Sequence, residues 1–344
     1  MPGVLIVHAS LGSGHISAAE ALVDAFRRHS VDTLAVDILD YASPVLRLAL
    51  NQYFKQTTER GQQLYRLLYS RSDAEDVEDA FSGNKLLTML ERPFLTQFEN
   101  LVNELNPDAV VSVHPIPGHV LAHNKERGHF TKPLYVVVTD FMAHATWLVP
   151  GVTRYFVPGD LTERILLNRG VTPDHVAVTG IPVRLEMTEH KDVGEVRARH
   201  DLPADLPVIA LFGGGLDVER VRLMVTQLLE GRTPGMLVVV AGRNEGLEEA
   251  LADARDGEHM RLRVLGKIDF VDDLIAASDL VIGKSGGLTV SEVMARGTPM
   301  IIIDPVPGQE EWNADAVAGA GAGIQLRMPE TVPPAALYLL SQPA

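Results

Sequence analysis

Short apolar runs alternate with longer amphipathic ones along most of the chain. The runs at 4–8, 33–38, 109–113, 132–139, 155–157 and 176–179 are brief and rich in Val, Ile and Leu, so they read as buried strands. Between them, apolar residues at helical spacing predict helices over about 16–28, 86–105 and 160–169. The pattern breaks at Thr179-Gly-Ile-Pro-Val-Arg184 and then starts again. Strands are expected at 208–212, 237–241, 261–265, 279–282 and 300–303, with helices over 217–229, about 271–277 and 289–296. A short helix, reaching Leu340 from Pro333-Pro334, would follow. Two successive series of this kind predict an α/β protein with two Rossmann-like domains, 1–182 and 183–330, and a short tail, 331–344.

Glycine turns sit where strands hand over to helices. The first is Ser10-Leu-Gly-Ser-Gly-His15, in which Gly12-x-Gly14 lacks the third glycine of the dinucleotide fingerprint. Ser17-x-x-Glu20 behind it fits a capping box. In the second half, Gly213-Gly-Gly215 follows one strand, and Lys284-Ser-Gly-Gly-Leu-Thr-Val-Ser-Glu292 follows another. A strand, a glycine turn and a helix N-terminus make an anion pocket, because free N–H groups and the positive end of the dipole converge there. Gly286 and Gly287 remove side chains from the place where a diphosphate would approach the backbone. Thr289-x-x-Glu292 also fits a capping box, which would leave Glu292 a purely local role. The strand at 300–303 is followed by Asp304-Pro-Val-Pro-Gly, which delivers Gln309, Glu310 and Asn313 to the carboxyl edge of the sheet, where open α/β sheets bind ligands. An amide and a carboxylate there suit the hydroxyls of a sugar, and Glu292 suits those of a ribose.

Composition narrows the class. The 344 residues allow two domains of ordinary size, and 46% hydrophobic with 22% charged residues describe a globular chain with a large core. No apolar run approaches the roughly 18 residues that span a bilayer. The N-terminus enters a strand without a basic region before it, so no signal peptide is expected. The absence of cysteine excludes disulfides and thiol chemistry and makes a cytoplasmic location the default. A net charge of −15 opposes nucleic-acid binding and general attraction to anionic lipid.

One segment runs against that charge. Residues 44–72 hold five basic residues against one acidic, interleaved with large apolar side chains such as Val45, Leu48, Tyr53 and Phe54. That composition suits an interfacial helix at a membrane surface, and equally an amphipathic helix packed on its own domain. The acidic run at 73–79 reads as a solvated turn or helix start.

Histidines supply the other candidate chemistry. His15, where a glycine turn meets a helix, stands near the carboxyl edge of the sheet as a general base or as a solvent-facing first-turn residue. Asp140, at a strand end, is a candidate to orient it or a simple cap. His119 and His123 have the i, i+4 spacing of a zinc pair but no acidic partner in a zincin arrangement, so no metal is expected.

The joined pattern Gly-Gly-x-Thr-x-x-Glu and Pro-Gly-Gln-Glu-x-x-Asn resembles the UDP-sugar site of the diacylglycerol glycosyltransferases. These are the bacterial processive glucosyltransferases and the plant-type monogalactosyldiacylglycerol synthases, more distantly similar to the N-acetylglucosaminyltransferase of peptidoglycan synthesis. The Gly-Ser-Gly-His, Thr-Asp-Phe and Thr-Gly-Ile-Pro stretches resemble the same family, and the likeness runs from Val4 to about Gln325.

The resemblance implies a GT-B fold, two Rossmann-like domains facing across a cleft. It implies inverting transfer of glucose or galactose from a UDP-sugar to diacylglycerol or a related lipid. His15 would be the acceptor-side base with Asp140 assisting, and Gly14, His114, His144 and Trp147 would line the acceptor side. Gly213, Gly214, Lys284, Ser285, Gly286, Gly287, Leu288, Thr289, Glu292, Gln309 and Glu310 would hold the donor. Backbone amides and the helix dipole, with no cofactor or metal, would stabilise the departing UDP. Residues 44–72 would make peripheral contact with the inner face of the cell membrane. Related chains continue past the equivalent of Gln325 with a helix that crosses back onto the first domain, and this chain stops short of one. Two other readings therefore stay open: a UDP-sugar epimerase of the same fold, and a catalytically weak UDP-sugar-binding protein.

Overall fold

The computed structural model describes residues 2–59, 73 and 76–341. Contacts divide the chain into two compact units, Met1–Leu185 with Pro307–Trp312, and Glu186–Val306 with Asn313–Ala344. Among the described residues no helix is long and apolar enough to cross a membrane.

The first unit is built on a six-stranded parallel sheet. Its strands are β1 (Val4–His8), β2 (Thr33–Asp37), β3 (Ala109–Ser112), β4 (Leu134–Val137), β5 (Arg154–Val157) and β6 (Val176–Val178), in the spatial order β2-β1-β3-β4-β5-β6. Helices cover both faces, which is why the strands carry apolar residues without alternation. On one face Ile6 packs with Ala19 and Val23 of α1 (Ser13–Arg28) and with Val111 and Val137. On the other, Leu5, Val7, Val110 and Val136 join Phe98, Leu95, Leu121 and Trp147 in a larger cluster. The remaining helices of this part are α2 (Pro44–Glu59), α3 (Val77–Glu91), α4 (Thr96–Leu105), α5 (Pro115–Glu126) and α6 (Asp160–Asn168).

Two expectations need correction here, and a third is sharpened. The single helix over 86–105 is two, because Pro93 has no N–H to donate and the chain passes through a 3-10 turn, Arg92–Phe94, between α3 and α4. α1 starts at Ser13, ahead of residue 16, with Gly12 at its N-cap and no side-chain cap, so Ser17 lies inside the helix and forms no capping box. The acidic run is the expected helix start, with more specific partners: Asp76 caps α3 by accepting from the Asp79 N–H at 2.8 Å, and Asp73 pairs with Arg169 at 2.7 Å. Residues 60–72 of the basic segment lie outside the described residues.

The second unit repeats the plan with β7 (Val208–Phe212), β8 (Gly235–Val240), β9 (Met260–Leu265), β10 (Leu280–Gly283), β11 (Met300–Ile303) and β12 (Gly323–Leu326). All pairings are parallel, in the order β12-β11-β10-β7-β8-β9. Counted from β7, this is the doubly wound nucleotide-binding order, whose reversal falls between β7 and β10. The helices are α7 (Val193–Arg199), α8 (Val218–Glu230), α9 (Glu245–Leu251), α10 (Val271–Ala277), α11 (Gly287–Arg296), α12 (Gln309–Gly319) and α13 (Val332–Leu340). The expected strand at 300–303 and helix at 271–277 match β11 and α10 to the residue. α9 follows β8 and starts on the Asn244 side chain, which accepts from the Leu247 N–H. The tail is no loose end: Val332 and Ala336 of α13 are fully buried in the same cluster as Val221, Met224 and Leu228 of α8.

Candidate active site

In the first unit the strand order reverses between β1 and β3, and the chain leaving each of these strands brings a histidine to the reversal. After β1 the backbone turns through Gly12, at φ +107, a conformation open to glycine, and enters α1 with Gly14 and His15 in its first turn. After β3 comes His114, the N-cap of α5. The two rings meet edge to face with centroids 4.6 Å apart, and the Trp147 ring stands 6.4 Å from His15.

The hydrogen bonds fix the tautomers. His15 Nδ1 lies 2.8 Å from the Val113 carbonyl, which can only accept, so Nδ1 carries the hydrogen and Nε2 the lone pair. The Thr139 hydroxyl, at the end of β4, is 3.1 Å from the same nitrogen. His114 is the reverse case, its Nδ1 accepting from the Ile116 N–H at 3.2 Å. Burial pushes His15 down to about 4, with His8 adding a smaller repulsion. Burial, then the positive fields of His15, His119 and His8, holds His114 well below the ordinary imidazole value. At neutral pH these rings are therefore uncharged, as a base must be before it takes a proton.

The other residues expected on the acceptor side have separate local roles. Asp140 follows Thr139 and is 8% exposed. His144 is buried and spends Nδ1 on capping the short turn Ala145–Trp147, accepting from the Thr146 N–H at 3.1 Å. His119 directs Nε2 to the Thr146 carbonyl at 2.9 Å. Among the described residues no group of three or more His, Cys, Asp or Glu is placed to hold a metal ion. Thr139 and Val113 were not singled out in the sequence; a carbonyl partner leaves no mark in residue identity.

In the second unit the glycine turns after β7 and β10 flank the strand-order reversal. Packing already favours glycine at both positions: a Cβ on Gly214 would come within 2.8 Å of the Ala241 carbonyl, a backbone atom, and one on Gly213 within 2.6 Å of Leu247 Cδ2, the end of a side chain. Lys284 reaches across from the other turn, its Cδ 3.6 Å from where a Gly215 Cβ would be. The stem of Lys284 thus packs against the Gly213–Gly215 turn.

Behind Lys284, Ser285 is fully buried and its carbonyl accepts from Asn313 Nδ2 at 2.9 Å. Asn313 is itself fully buried, so it braces the turn and is not a sugar ligand on the surface. α11 begins at Gly287 with Gly286 as its N-cap and no side-chain cap. Thr289 is therefore inside the first turn, and the capping-box reading of Thr289 and Glu292 is excluded. Gly287 and Leu288 stand beside Thr289 at the positive end of the helix, and Glu292, 7% exposed, lies a turn further along. Gln309 and Glu310 open α12, where Glu311 Oε2 accepts from the Gly308 N–H at 3.0 Å.

Two family models match separate parts of the chain. Residues 15–183 match the family model described as monogalactosyldiacylglycerol (MGDG) synthase, and residues 208–335 the glycosyltransferase family 28 C-terminal domain. The processive diacylglycerol β-glucosyltransferase of Bacillus subtilis is 30% identical over 337 residues, 96% of this chain and 84% of the relative. That of Staphylococcus carnosus is 29% identical, over 93% of this chain and 80% of the relative. Among solved structures, Acinetobacter baumannii MurG superposes with a TM-score of 0.58 at 16% identity, over 98% of this chain and 90% of its own. The UDP complex of S. aureus MnaA gives 0.61 at 15% identity, over 99% and 89%. These neighbours place the architecture among the GT-B-like folds, and the sequence relatives go further: the chain belongs to the diacylglycerol glycosyltransferase family.

Proposed function

We propose that this protein transfers a hexose from a UDP-sugar to the free hydroxyl of a diacylglycerol-type lipid, with inversion at the anomeric carbon. The observation that carries the donor half is the N-terminus of α11, free of any side-chain cap, at the strand-order reversal of the second sheet, with the stem of Lys284 against the facing Gly213–Gly215 turn. First-turn amides at Gly287, Leu288 and Thr289 suit a diphosphate, Glu292 suits the ribose, and Gln309 with Glu310 suits the hexose. In the first unit, the acceptor O–H would give its proton to His15 Nε2 while its oxygen attacks the anomeric carbon. The bond from that carbon to the phosphate oxygen breaks, and UDP leaves with the electron pair against the helix dipole. Asp140 belongs on the acceptor side of this scheme, with Gly14, His114, His144 and Trp147. The domain assignment follows: acceptor binding in 1–182, donor binding in 183–330.

Access to the lipid is assigned to the basic, apolar segment at 44–72. In α2, Val45 and Leu48 are 68% and 60% exposed on neighbouring positions of one helix face. Arg47 is turned onto the Leu39 carbonyl at 2.9 Å, so the apolar pair would make the contact more than that charge. The protein would act from the cytoplasm as a peripheral enzyme of the inner leaflet.

The test is UDP release from UDP-glucose and from UDP-galactose, with and without diacylglycerol micelles. Lipid-dependent release is expected, and the faster donor names the sugar. Release without lipid, or conversion of the donor alone, would overturn the transferase reading. His15→Ala should abolish most turnover while sparing UDP affinity; Glu292→Ala should weaken UDP binding.

A further inference from the structure

Asp304, the first residue after β11, holds φ +50, a left-handed conformation uncommon for any residue with a side chain. Four residues later Gly308 is at φ +89, so two left-handed positions bracket the Pro305–Gly308 turn that leads into Gln309 and Glu310. Such a conformation persists only when its surroundings hold it. The holder is Arg220. Its Nε donates to Asp304 Oδ2 at 2.6 Å, and its second arm donates to the Arg327 carbonyl at 2.9 Å, just beyond β12. Its own backbone is fixed in turn, the Arg220 N–H donating to Asp217, the N-cap of α8.

Arg220 therefore ties three chain segments at the carboxyl edge of the second sheet: the helix after the Gly213–Gly215 turn, the end of β11 and the end of β12. Guanidinium and carboxylate are 35% and 26% exposed, so this charge-assisted fork is only partly shielded from water. We propose that Arg220 is a positioning residue for the donor sugar, holding Asp304 in the left-handed conformation that aims the loop carrying Gln309 and Glu310. The inference rests on the donor reading above. It separates two parts of that site: Arg220 governs the loop that aims Gln309 and Glu310, whereas the nucleotide is left to α11, braced on Ser285 by Asn313 one turn further along α12.

The experiment measures UDP binding by calorimetry and the UDP-hexose KM on full-length protein for wild type, Arg220→Ala, Arg220→Lys, Asp304→Gly and the double variant Arg220→Ala/Asp304→Gly. Loss of a hydrogen-bonded charge predicts a UDP-hexose KM at least about tenfold higher in Arg220→Ala. The UDP Kd is expected to stay within about twofold, since independent sites do not couple. Glycine tolerates φ +50 but has no carboxylate, so Asp304→Gly should match Arg220→Ala, and the double variant should be no worse than either. Arg220→Lys, with a single ammonium in place of the fork, should recover part of the loss. Equal losses in UDP Kd and UDP-hexose KM, or no change in either, overturn the assignment, as does full additivity in the double variant. Wild-type protein that binds neither UDP nor UDP-hexose overturns the donor reading itself, and this inference with it.

Discussion

His15 is useful because of what its neighbours take away from it. The Val113 carbonyl occupies Nδ1, so the imidazole has one lone pair, on Nε2, and burial keeps the ring from charging in the free protein. The sign of the pH effect follows. A folded value near 4 means that the unfolded chain, at the ordinary 6.5, binds more protons between these limits, so stability rises with pH across that window and falls on acidification. As the proposed base, His15 is already neutral above the window. The acid limb of kcat/KM, which reports the free enzyme, is thus expected close to 4 and the profile flat from about pH 8 to 5.5. A limb at the ordinary imidazole value would mean that His15 is not buried as described, or not the base. The sequence made His15 visible because a histidine in a glycine turn at a strand end is an unusual residue in a chemically active place. It could not show Val113 or Thr139, whose contribution is a backbone carbonyl and the location of a hydroxyl. Thr289 and Glu292 were ambiguous for a related reason: the capping box and the ligand site share one spelling, and the difference is where the backbone first turns helical.

At the scale of elements, the donor turn is held from below. Asn313, in α12, donates to the carbonyl of Ser285, the residue before the Gly286 N-cap of α11, and both are fully buried. Asn313→Ala would strand that carbonyl away from water, at a cost of about 1–3 kcal/mol in stability by chemical denaturation. UDP affinity should fall with it; stability lost without any change in UDP binding would show that the brace does not set the turn. Gly214 makes a separate prediction. An alanine there meets the Ala241 carbonyl at 2.8 Å, a backbone atom that cannot rotate away, so Gly214→Ala should destabilise by about 1–3 kcal/mol with or without UDP present. A destabilisation that UDP alone reveals would return Gly214 to the ligand. Apolar runs read well at this scale because a strand buried on both faces has no polar positions to blur it, as in Met300–Ile303. Helix ends read poorly. Gly12 and Gly286 begin helices without a side-chain cap, and Pro93 cuts a hydrophobic pattern that is otherwise continuous.

For the whole molecule, periodicity implied two α/β series but could not give the order of their strands, since parallel pairing depends on crossovers that leave no local signature. That order bears on the proposed function: the reversals between β1 and β3 and between β7 and β10 put the chain leaving those strands where open α/β sheets generally bind ligands. The other global property is charge. At −15 the protein is repelled by an anionic leaflet, so contact with a bilayer has to come from apolar side chains or from a local reversal of charge. Val45 and Leu48 are exposed on one face of α2, while Arg47 beside them is held by its own domain at Leu39. If the apolar pair makes the contact, Val45→Asp/Leu48→Asp should weaken vesicle binding in flotation by about a hundredfold or more, given about 1.5–3 kcal/mol for each of the two side chains when fully buried. Added salt should leave wild-type binding unchanged or improve it, because screening weakens the repulsion of an acidic protein from an acidic surface. Wild-type binding that salt abolishes would instead assign the contact to the basic residues of 44–72, and equal recovery of both proteins would remove α2 from the membrane altogether. UDP affinity, measured on the same preparations, should not distinguish the variant from wild type, since the donor turn belongs to the other sheet.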